Sequence, residues 1–383
     1  MNDLLSLYKE MASASLDEAK SLPFEVYTNE EVFNLEAEKV FHKEWVFVCA
    51  EQAIAKPSDY FAFNLAGESV AILRGQDGNL RAMSNNCRHR GTPLLDEGFG
   101  ETGKRIICPY HAWNYDDKGA LKGAPFTGKV TIEKEKHCLP TFQLEVWSGL
   151  LFINLDKNAL PLAEKLKGIE EYTSIYKPER FDMYTQGPLE HWDANWKLAV
   201  ENALEGYHVF KVHKDTLETV GPTKLAYYVA GSADWTITGG ASENSAGTLA
   251  KWFRGNYPEA YNHYQVVIIP PSFVAILNYD SFSWVHVLPD GKGESEVRSG
   301  AMTPKSMFKE GKQSKVFTEA FFAEDKWICE RVQKGMNSKI GHGGKLVEME
   351  KSVVDFHQYL ASRLFGTPID AFSEGVNAKL FKE

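Results

Sequence analysis

At 383 residues and 43% hydrophobic, the chain can bury substantial cores and is expected to form two domains. Its formal charge of −10 argues against nucleic-acid binding, which needs a basic face, and is compatible with a partner that docks through a basic patch. Five cysteines are too few for a disulfide framework, no run reaches the ~20 apolar residues that span a bilayer, and Met1 to Pro23 lacks the regions of a signal peptide. A cytoplasmic protein with no nucleic-acid or membrane partner is expected.

From Leu4 to about Glu44, apolar residues recur at helical spacing, with Val32, Leu35, Val40 and Phe41 on one face. Residues 1–44 are expected to form a helical segment that packs on the C-terminal domain. From Trp45 the pattern changes to short alternating or β-branched runs, among them Tyr60-Phe61-Ala62-Phe63, Ser69-Val70-Ala71-Ile72-Leu73 and Leu150-Leu151-Phe152-Ile153. Turn signals such as Asp116-Asp117-Lys118-Gly119 separate them. The spacing predicts an all-β domain over residues 45–155.

Inside that domain, Cys87-Arg88-His89 is followed after eighteen residues by Cys108-Pro109-Tyr110-His111. Two thiolates and two imidazoles so arranged are the signature of a Rieske [2Fe-2S] centre. Cys87 and Cys108 would bind one iron, and His89 and His111 the other as neutral imidazoles, which raises the potential above that of an all-cysteine cluster. Structural zinc is the competing use of such a donor set. Zinc modules usually pair like with like, whereas each loop here supplies one donor of each kind. Pro109 is expected to stiffen its turn and Trp113 to shield the cluster. Cys49, Cys138 and Cys329 read as reduced packing residues.

Between the loops, Gly98-Phe99-Gly100-Glu101-Thr102-Gly103 matches the dinucleotide fingerprint GxGxxG letter for letter. A phosphate-binding loop must follow a strand and open a helix. The next residues, Arg105-Ile106-Ile107-Cys108, read instead as a strand leading into a metal ligand. The glycines are therefore read as a turn, and nicotinamide is expected to bind a separate protein.

Pro161 to Lys177 reads as a helix leading away from the β domain, and residues 156–383 as the second domain. There, a helical pattern dense in polar residues runs from Asn195 through Glu205 to His208, with His213 beyond it. A separation of five turns a helical side chain by about 140°, so His208 and His213 converge only if the helix distorts or ends between them. Such a pair is more often surface or satisfied core than a ligand set. A one-electron donor needs an acceptor, however, and two histidines with one carboxylate form the facial triad of non-haem Fe(II) oxygenases. Asp325, within the helical run Phe321 to Glu330, is the chosen carboxylate. Its competing reading is a solvated helix face, and Glu324 is the nearest alternative.

These motifs together resemble the α subunit of a Rieske non-haem iron oxygenase, of the aromatic-ring-hydroxylating family, over nearly the whole chain. The resemblance implies that Cys87, His89, Cys108 and His111 hold the cluster, that His208, His213 and Asp325 hold the catalytic iron, and that Glu205 is the acid linking the two centres. The family usually has aspartate there. Glutamate leans toward the branch acting on carnitine and related quaternary amines, as do Glu324-Asp325 and the run Cys329 to Gly335.

An α+β fold is implied: an all-β Rieske domain plus a helix-grip (START-like) catalytic domain with an antiparallel sheet. Gln265–Ile269, Ser272–Leu277 and Phe282–Leu288 read as strands of that sheet, and Pro270-Pro271 and Pro289-Asp290-Gly291 as turns. Trp235, Trp252, Phe253, Tyr279, Phe282 and Trp284 could bind a flat ring, cage a quaternary ammonium by cation–π attraction, or be ordinary core. His286, beside Trp284 on a strand, is left out of the metal site.

The implied activity is that of a terminal oxygenase, with one cluster and one mononuclear Fe(II) per subunit and O2 as co-substrate. Electrons would come from NAD(P)H through a flavin-containing reductase, with or without a ferredoxin. Products would be a cis-diol or phenol from an aromatic ring, an alcohol from a carbon–hydrogen bond, or a hemiaminal from an N-methyl group. The resemblance also implies a homotrimer. Glu205, three residues before His208 and thus on nearly the same helix face, would there reach His111 of the neighbouring copy. A Rieske electron carrier without oxygenase activity would be shorter and lack the second ligand set. A zinc-stabilised binding protein would have no use for it.

Overall fold

The computed structural model describes residues 1–219, 221–241, 263–305 and 311–369. Trp252 and Phe253 lie outside the described residues. The chain divides into two compact units, Phe41–Leu162 and a second that joins Met1–Val40 to Ala163–Glu383. This division lies a few residues from the expected 44/45 and 155/156. The shift has a local cause, because side chains near both ends are tied into the β unit: His42 Nε2 lies 3.2 Å from the Ala66 carbonyl, Asn154 donates to the Lys43 carbonyl at 3.0 Å, and Trp45 Nε1 donates to the Leu160 carbonyl at 2.8 Å.

In chain order the elements begin with helices α1 (Asn2–Ala12) and α2 (Glu30–Glu36). The expected run of helix from Leu4 to Glu44 is broken by a 3-10 turn at Phe24–Tyr27 and a π turn at Ala37–Phe41. Pro23 starts the first of these, since it cannot continue a hydrogen-bonded helix. Val32, Val40 and Phe41 are fully buried, with Leu35 at the margin of the face.

The β unit holds β1 (Val46–Ala50), β2 (Asp59–Leu65), β3 (Glu68–Arg74), β4 (Leu80–Ser84), β5 (Gly98–Glu101), β6 (Ile106–Ile107), β7 (Asn114–Tyr115), β8 (Leu121–Gly123), β9 (Thr141–Trp147) and β10 (Leu150–Asn154). Seven form a sheet in the order β1-β10-β9-β4-β3-β2-β5, and β6-β7-β8 form a smaller one. The two cysteine loops, β4 to β5 and β6 to β7, meet over a core that contains Leu73, Met83, Cys87, Cys108, Trp113 and Tyr115. The fingerprint glycines differ from the expected turn. Gly98–Glu101 is the edge strand β5, and Gly100 lies opposite Tyr60, where an added Cβ would come within 2.6 Å of the ring. Only Gly103, at φ 65°, serves a turn, and no helix follows it.

The second unit continues with α3 (Leu162–Lys165), α4 (Glu170–Thr173), β11 (Met183–Trp192), α5 (Trp196–Leu204), α6 (Val209–Val212), β12 (Ala226–Gly231), β13 (Thr236–Ala241), β14 (His263–Ile269), β15 (Phe273–Leu277), β16 (Phe282–Gly291), β17 (Glu294–Thr303), α7 (Gly311–Met336) and α8 (Lys351–Phe365). The helix expected over Pro161–Lys177 is instead two short pieces, because Gly168 at φ 88° breaks the ladder between them. Seven strands form one antiparallel sheet, β11-β17-β16-β15-β14-β13-β12. Pro289 to Gly291 is not the turn but a bulged end of β16, the chain reversing after Gly291. The architecture is α+β, a β domain plus a domain with an antiparallel sheet, as expected.

A buried ion pair anchors α5. Lys197 Nζ lies 2.9 Å from Glu36 Oε2, both side chains are inaccessible, and Trp196 Nε1 and Tyr8 Oη donate to the same carboxylate. Removing one partner would leave an uncompensated buried charge, at a cost of about 3–5 kcal/mol.

Candidate functional site

The two cysteine loops are built alike. In one, Gly91 N donates to the Cys87 carbonyl at 2.9 Å and Cys87 N to that of Thr92 at 2.9 Å; in the other, Ala112 N donates to Cys108 at 3.1 Å and Cys108 N to Trp113 at 2.8 Å. Each loop turns its histidine outward, while Cys87 and Cys108 are buried to 3% exposure. The His89 and His111 rings stand 4.7 Å apart at their centroids, edge to face. Trp113 stacks on His89 at 4.8 Å and 9°, so it packs against the ring rather than merely covering it.

Burial raises the Cys87 thiol above its ordinary pKa and outweighs the hydrogen bond from Tyr115, so a bound cation is what would bring out the thiolate. Partial desolvation, then His89 and Arg90, lower the pKa of His111 and favour the neutral ring that ligates metal. The donor types, inner thiols and outer imidazoles, fit a cluster whose two irons are ligated differently. Tyr115 was not singled out by sequence. Its hydroxyl lies 3.4 Å from Cys87 Sγ and accepts from Arg88 N at 3.0 Å, and a hydrogen bond to a ligating sulfur raises the cluster potential. Only the β7 register that turns Tyr115 inward reveals it.

In the other unit, α5 ends at Leu204, whose carbonyl accepts from Ser352 Oγ at 2.6 Å. Glu205 is extended (φ −125°, ψ 158°), so it does not share a helix face with His208, contrary to the expectation. The chain then turns into the one-turn helix α6, with His208 at its start and His213 just past its end. The end of α6 between them answers the 140° problem, and the two rings come to 5.0 Å. His208, His213 and Asp325 bring one donor atom each to within 4.8 Å of the others. His213 Nε2 is 2.9 Å and His208 Nε2 3.7 Å from Asp325 Oδ1. Two imidazoles and one carboxylate converging on one point fit a mononuclear iron with open positions.

Each imidazole has a carboxylate behind it. His208 Nδ1 lies 2.7 Å from Glu205 Oε1, while Glu205 Oε2 accepts from the backbone of Tyr207 and His208. His213 Nδ1 lies 2.8 Å from Glu324 Oε2. Asn202 Nδ2 donates to Asp325 Oδ1 at 2.7 Å. Burial disfavours a charged His213, yet Asp325 and Glu324 outweigh it and raise its pKa. α7 supplies these groups as a stripe: Asp325, Cys329 and Gln333, at intervals of four, all meet α5 or the residue capping it. Trp327, off that stripe, is 58% exposed. The solvated-face alternative therefore fails for Asp325.

Sheet register sorts the candidate substrate aromatics. Leu277 pairs with Phe282 and Ala275 with Trp284, so these side chains share one face. Tyr264, Val266 and Ile268 point from the other face. That second face meets the site's elements: the Tyr264 ring lies against Gly221, and Ile268 and Thr236 line a small cavity with Ser352, Phe356 and Tyr359 of α8. Phe282 and Trp284 thus point away from the site, Trp284 stacking on Tyr184 at 6.2 Å. Arg180 sits 4.1 Å over the Tyr279 ring, and Trp235 donates to the Lys167 carbonyl. Tyr264, half-buried on the site face, is the aromatic that sequence missed; burial, then Glu218, push its hydroxyl up to about 12.

The profile of the ring-hydroxylating α-subunit catalytic domain matches residues 172–366, just over half of the chain. The chain belongs to that family. A Rieske [2Fe-2S] domain profile matches residues 44–143, so the chain pairs a Rieske domain with the catalytic domain of mononuclear non-haem iron oxygenases. It is 34% identical over 241 residues to the carnitine monooxygenase oxygenase subunit of Acinetobacter baumannii, a match covering 61% of this chain and 62% of that one. To the glycine betaine monooxygenase oxygenase subunit of Pseudomonas aeruginosa it is 30% identical, over 54% of this chain and 48% of that one. These matches span less than two thirds of the relatives' own length. In fold, it is similar to a quaternary ammonium Rieske monooxygenase (TM-score 0.80, 24% identity, 93% of this chain and 98% of that one) and to naphthalene 1,2-dioxygenase from Rhodococcus sp. (TM-score 0.81, 19% identity, 96% and 100%). Among the described residues, no helix is long and apolar enough to cross a membrane.

Proposed function

We propose that this protein is the terminal oxygenase of a multicomponent system that hydroxylates a small organic substrate with O2. The observation that carries this reading is the convergence of His208, His213 and Asp325 in a chain that also carries a Rieske domain. The two histidines and Asp325 would hold iron, and Cys87, His89, Cys108 and His111 the cluster. When bound, the iron supplies O2 activation and the cluster supplies the electrons one at a time.

The chain's own residues do the rest. Glu205 and Glu324 accept from the Nδ1 side of the two rings and leave each Nε2 lone pair facing the metal position. Asn202 holds Asp325 with its oxygen toward the same point. The half-buried wall of Val266, Ile276, Ser283 and Ala301 would confine the substrate beside it. Inserting one oxygen atom into a carbon–hydrogen bond consumes O2, two electrons and two protons and yields the alcohol and water. At a carbon bonded to a quaternary or N-methyl nitrogen that alcohol is a hemiaminal and the carbon–nitrogen bond then breaks, with formaldehyde leaving from an N-methyl group.

The substrate we favour is a quaternary or N-methyl amine, because the carnitine and glycine betaine oxygenase subunits are among the most similar relatives, and the resemblance puts Glu205 where the wider family usually has aspartate. Ring hydroxylation is the second reading, supported by 27% identity to the large subunit of 2-halobenzoate 1,2-dioxygenase from Burkholderia cepacia. A separate flavin-containing reductase, with or without a ferredoxin, would bring electrons from NAD(P)H. The assembly would be a homotrimer in which Glu205 joins His208 to His111 of the neighbouring copy, located in the cytoplasm, where thiols such as these, none of them in a disulfide, stay reduced.

The test is a reconstituted assay with a flavin reductase, following NADH oxidation and product together over amine and aromatic substrates. Coupled hydroxylation of an amine is expected. Turnover by the single chain with NADH alone would overturn the separate reductase. Purified protein that is colourless and holds zinc in place of iron would overturn the oxygenase.

A further inference from the structure

We propose that Glu324 is a positioning residue that fixes His213 in the tautomer whose Nε2 faces the metal. His213 is buried to 1% exposure, and each ring nitrogen faces a carboxylate oxygen: Nδ1 to Glu324 Oε2 at 2.8 Å and Nε2 to Asp325 Oδ1 at 2.9 Å. A neutral imidazole has one N–H and one lone pair. With the hydrogen on Nε2 the ring could not ligate there, and the Nδ1 lone pair would confront a carboxylate lone pair. With the hydrogen on Nδ1, Glu324 accepts it and Nε2 is free for iron.

Asp325 cannot serve this purpose, because its oxygen lies on the ligand side of the ring. Thr216 holds Glu324 in place. Its Oγ1 donates to Glu324 Oε2 at 2.7 Å, and its backbone N donates to the His213 carbonyl at 3.0 Å, closing the segment around the ring. His208 has the same device in Glu205. Glu324 makes the sequence Glu324-Asp325 one functional unit, in which one carboxylate ligates and its neighbour orients.

The inference rests on His213 being a ligand, and the experiment separates the two. Anaerobic Fe(II) affinity is measured for the purified protein with its cluster intact, together with the EPR spectrum of the ferrous site exposed to nitric oxide while the cluster is oxidised and silent. Glu324→Ala should weaken Fe(II) binding about 10- to 100-fold and alter that spectrum, at unchanged cluster absorbance. Glu324→Gln, whose amide oxygen still accepts from Nδ1, should stay much closer to the parent in both. Glu324→Met, equal in length but without an acceptor, should behave as Glu324→Ala and covers the case in which truncation impairs folding. Iron affinity and spectrum unchanged in Glu324→Ala or Glu324→Met would overturn the inference. So would Glu324→Gln as damaging as Glu324→Met, since charge rather than orientation would then be at work. Unchanged iron in His213→Ala would instead overturn the ligand assignment itself.

Discussion

Gly91 and Ala112 occupy the same place in the two cluster loops, each four residues after its cysteine and each left-handed, at φ 77° and 56°. Glycine adopts this conformation freely, whereas alanine pays for it in backbone strain of about 1–2 kcal/mol. Ala112→Gly should therefore leave the cluster absorbance unchanged and raise the stability read from denaturation slightly, by up to ~1 kcal/mol after the entropy that glycine adds to the unfolded chain. Gly91→Ala should lower it by about 1 kcal/mol, as strain alone, because an added Cβ there meets nothing within 4 Å.

Asp325→Ala should keep the red-brown cluster and lose mononuclear iron and turnover. Metal analysis checks it: iron per chain falls from three to the two of the cluster, as the donor sets require. Normal turnover in this variant would transfer the ligand role to Glu324.

His89→Cys should shift the cluster spectrum and lower its potential by a few hundred millivolts at most, because a thiolate replaces an imidazole on the outer iron. Redox titration reads the change. An unaltered potential would remove His89 from the ligand set.

Glu205→Ala should retain both metal centres and nearly abolish coupled product formation, while Glu205→Asp keeps a measurable part. The sharper measurement mixes variants within the proposed trimer. Chains with Cys108→Ala, lacking the cluster, co-assembled with chains carrying Asp325→Ala, lacking catalytic iron, should recover activity if electrons cross between neighbouring copies. No recovery in verified mixed trimers would assign transfer to a single chain.

Asp116 sets up a pH test. Its Oδ1 accepts from Lys118 N and Ala120 N, and Lys122 Nζ lies 2.8 Å from Oδ2, shaping the turn between β7 and β8 beside the second cysteine loop. Burial acts to raise its pKa, but Lys122 and the Ala120 and Lys118 N–H groups outweigh that and lower it. A depressed folded pKa contributes stability that is present above the ordinary carboxylate value and is lost as pH falls through the folded value. Asp116→Asn should thus cost about 1 kcal/mol at neutral pH and progressively less in acid, as read from denaturation midpoints across that range. A difference that stayed constant with pH would mean that ionisation of Asp116 contributes nothing to stability.

The α+β class, several strands of each large sheet and the two cysteine loops were legible in the amino-acid order because their signals are local. A loop that supplies Cys108 and His111 within four residues, or a strand read from Gln265 to Ile269, needs only short-range chemistry to be recognised. Residues 208 and 213 were legible as a pair, but their convergence depended on α6 ending after a single turn, at Val212, which the order of residues did not announce. Upstream of both, the end of α5 is satisfied from far along the chain, where Ser352 Oγ donates to the Leu204 carbonyl.

What the order of residues determined by itself was the inventory of donors and the unit each belongs to. Tertiary structure decided which of two adjacent carboxylates turns its oxygen to the metal side and which supports the ring, because that depends on the rotation of α7 against α5. It also decided which aromatics point toward the site. Alternation along a strand divides its side chains between two faces but does not say which face the helices will cover, and it is the packing of α8 and the segment after His213 that assigns Tyr264 to the site and Phe282 and Trp284 to the far side.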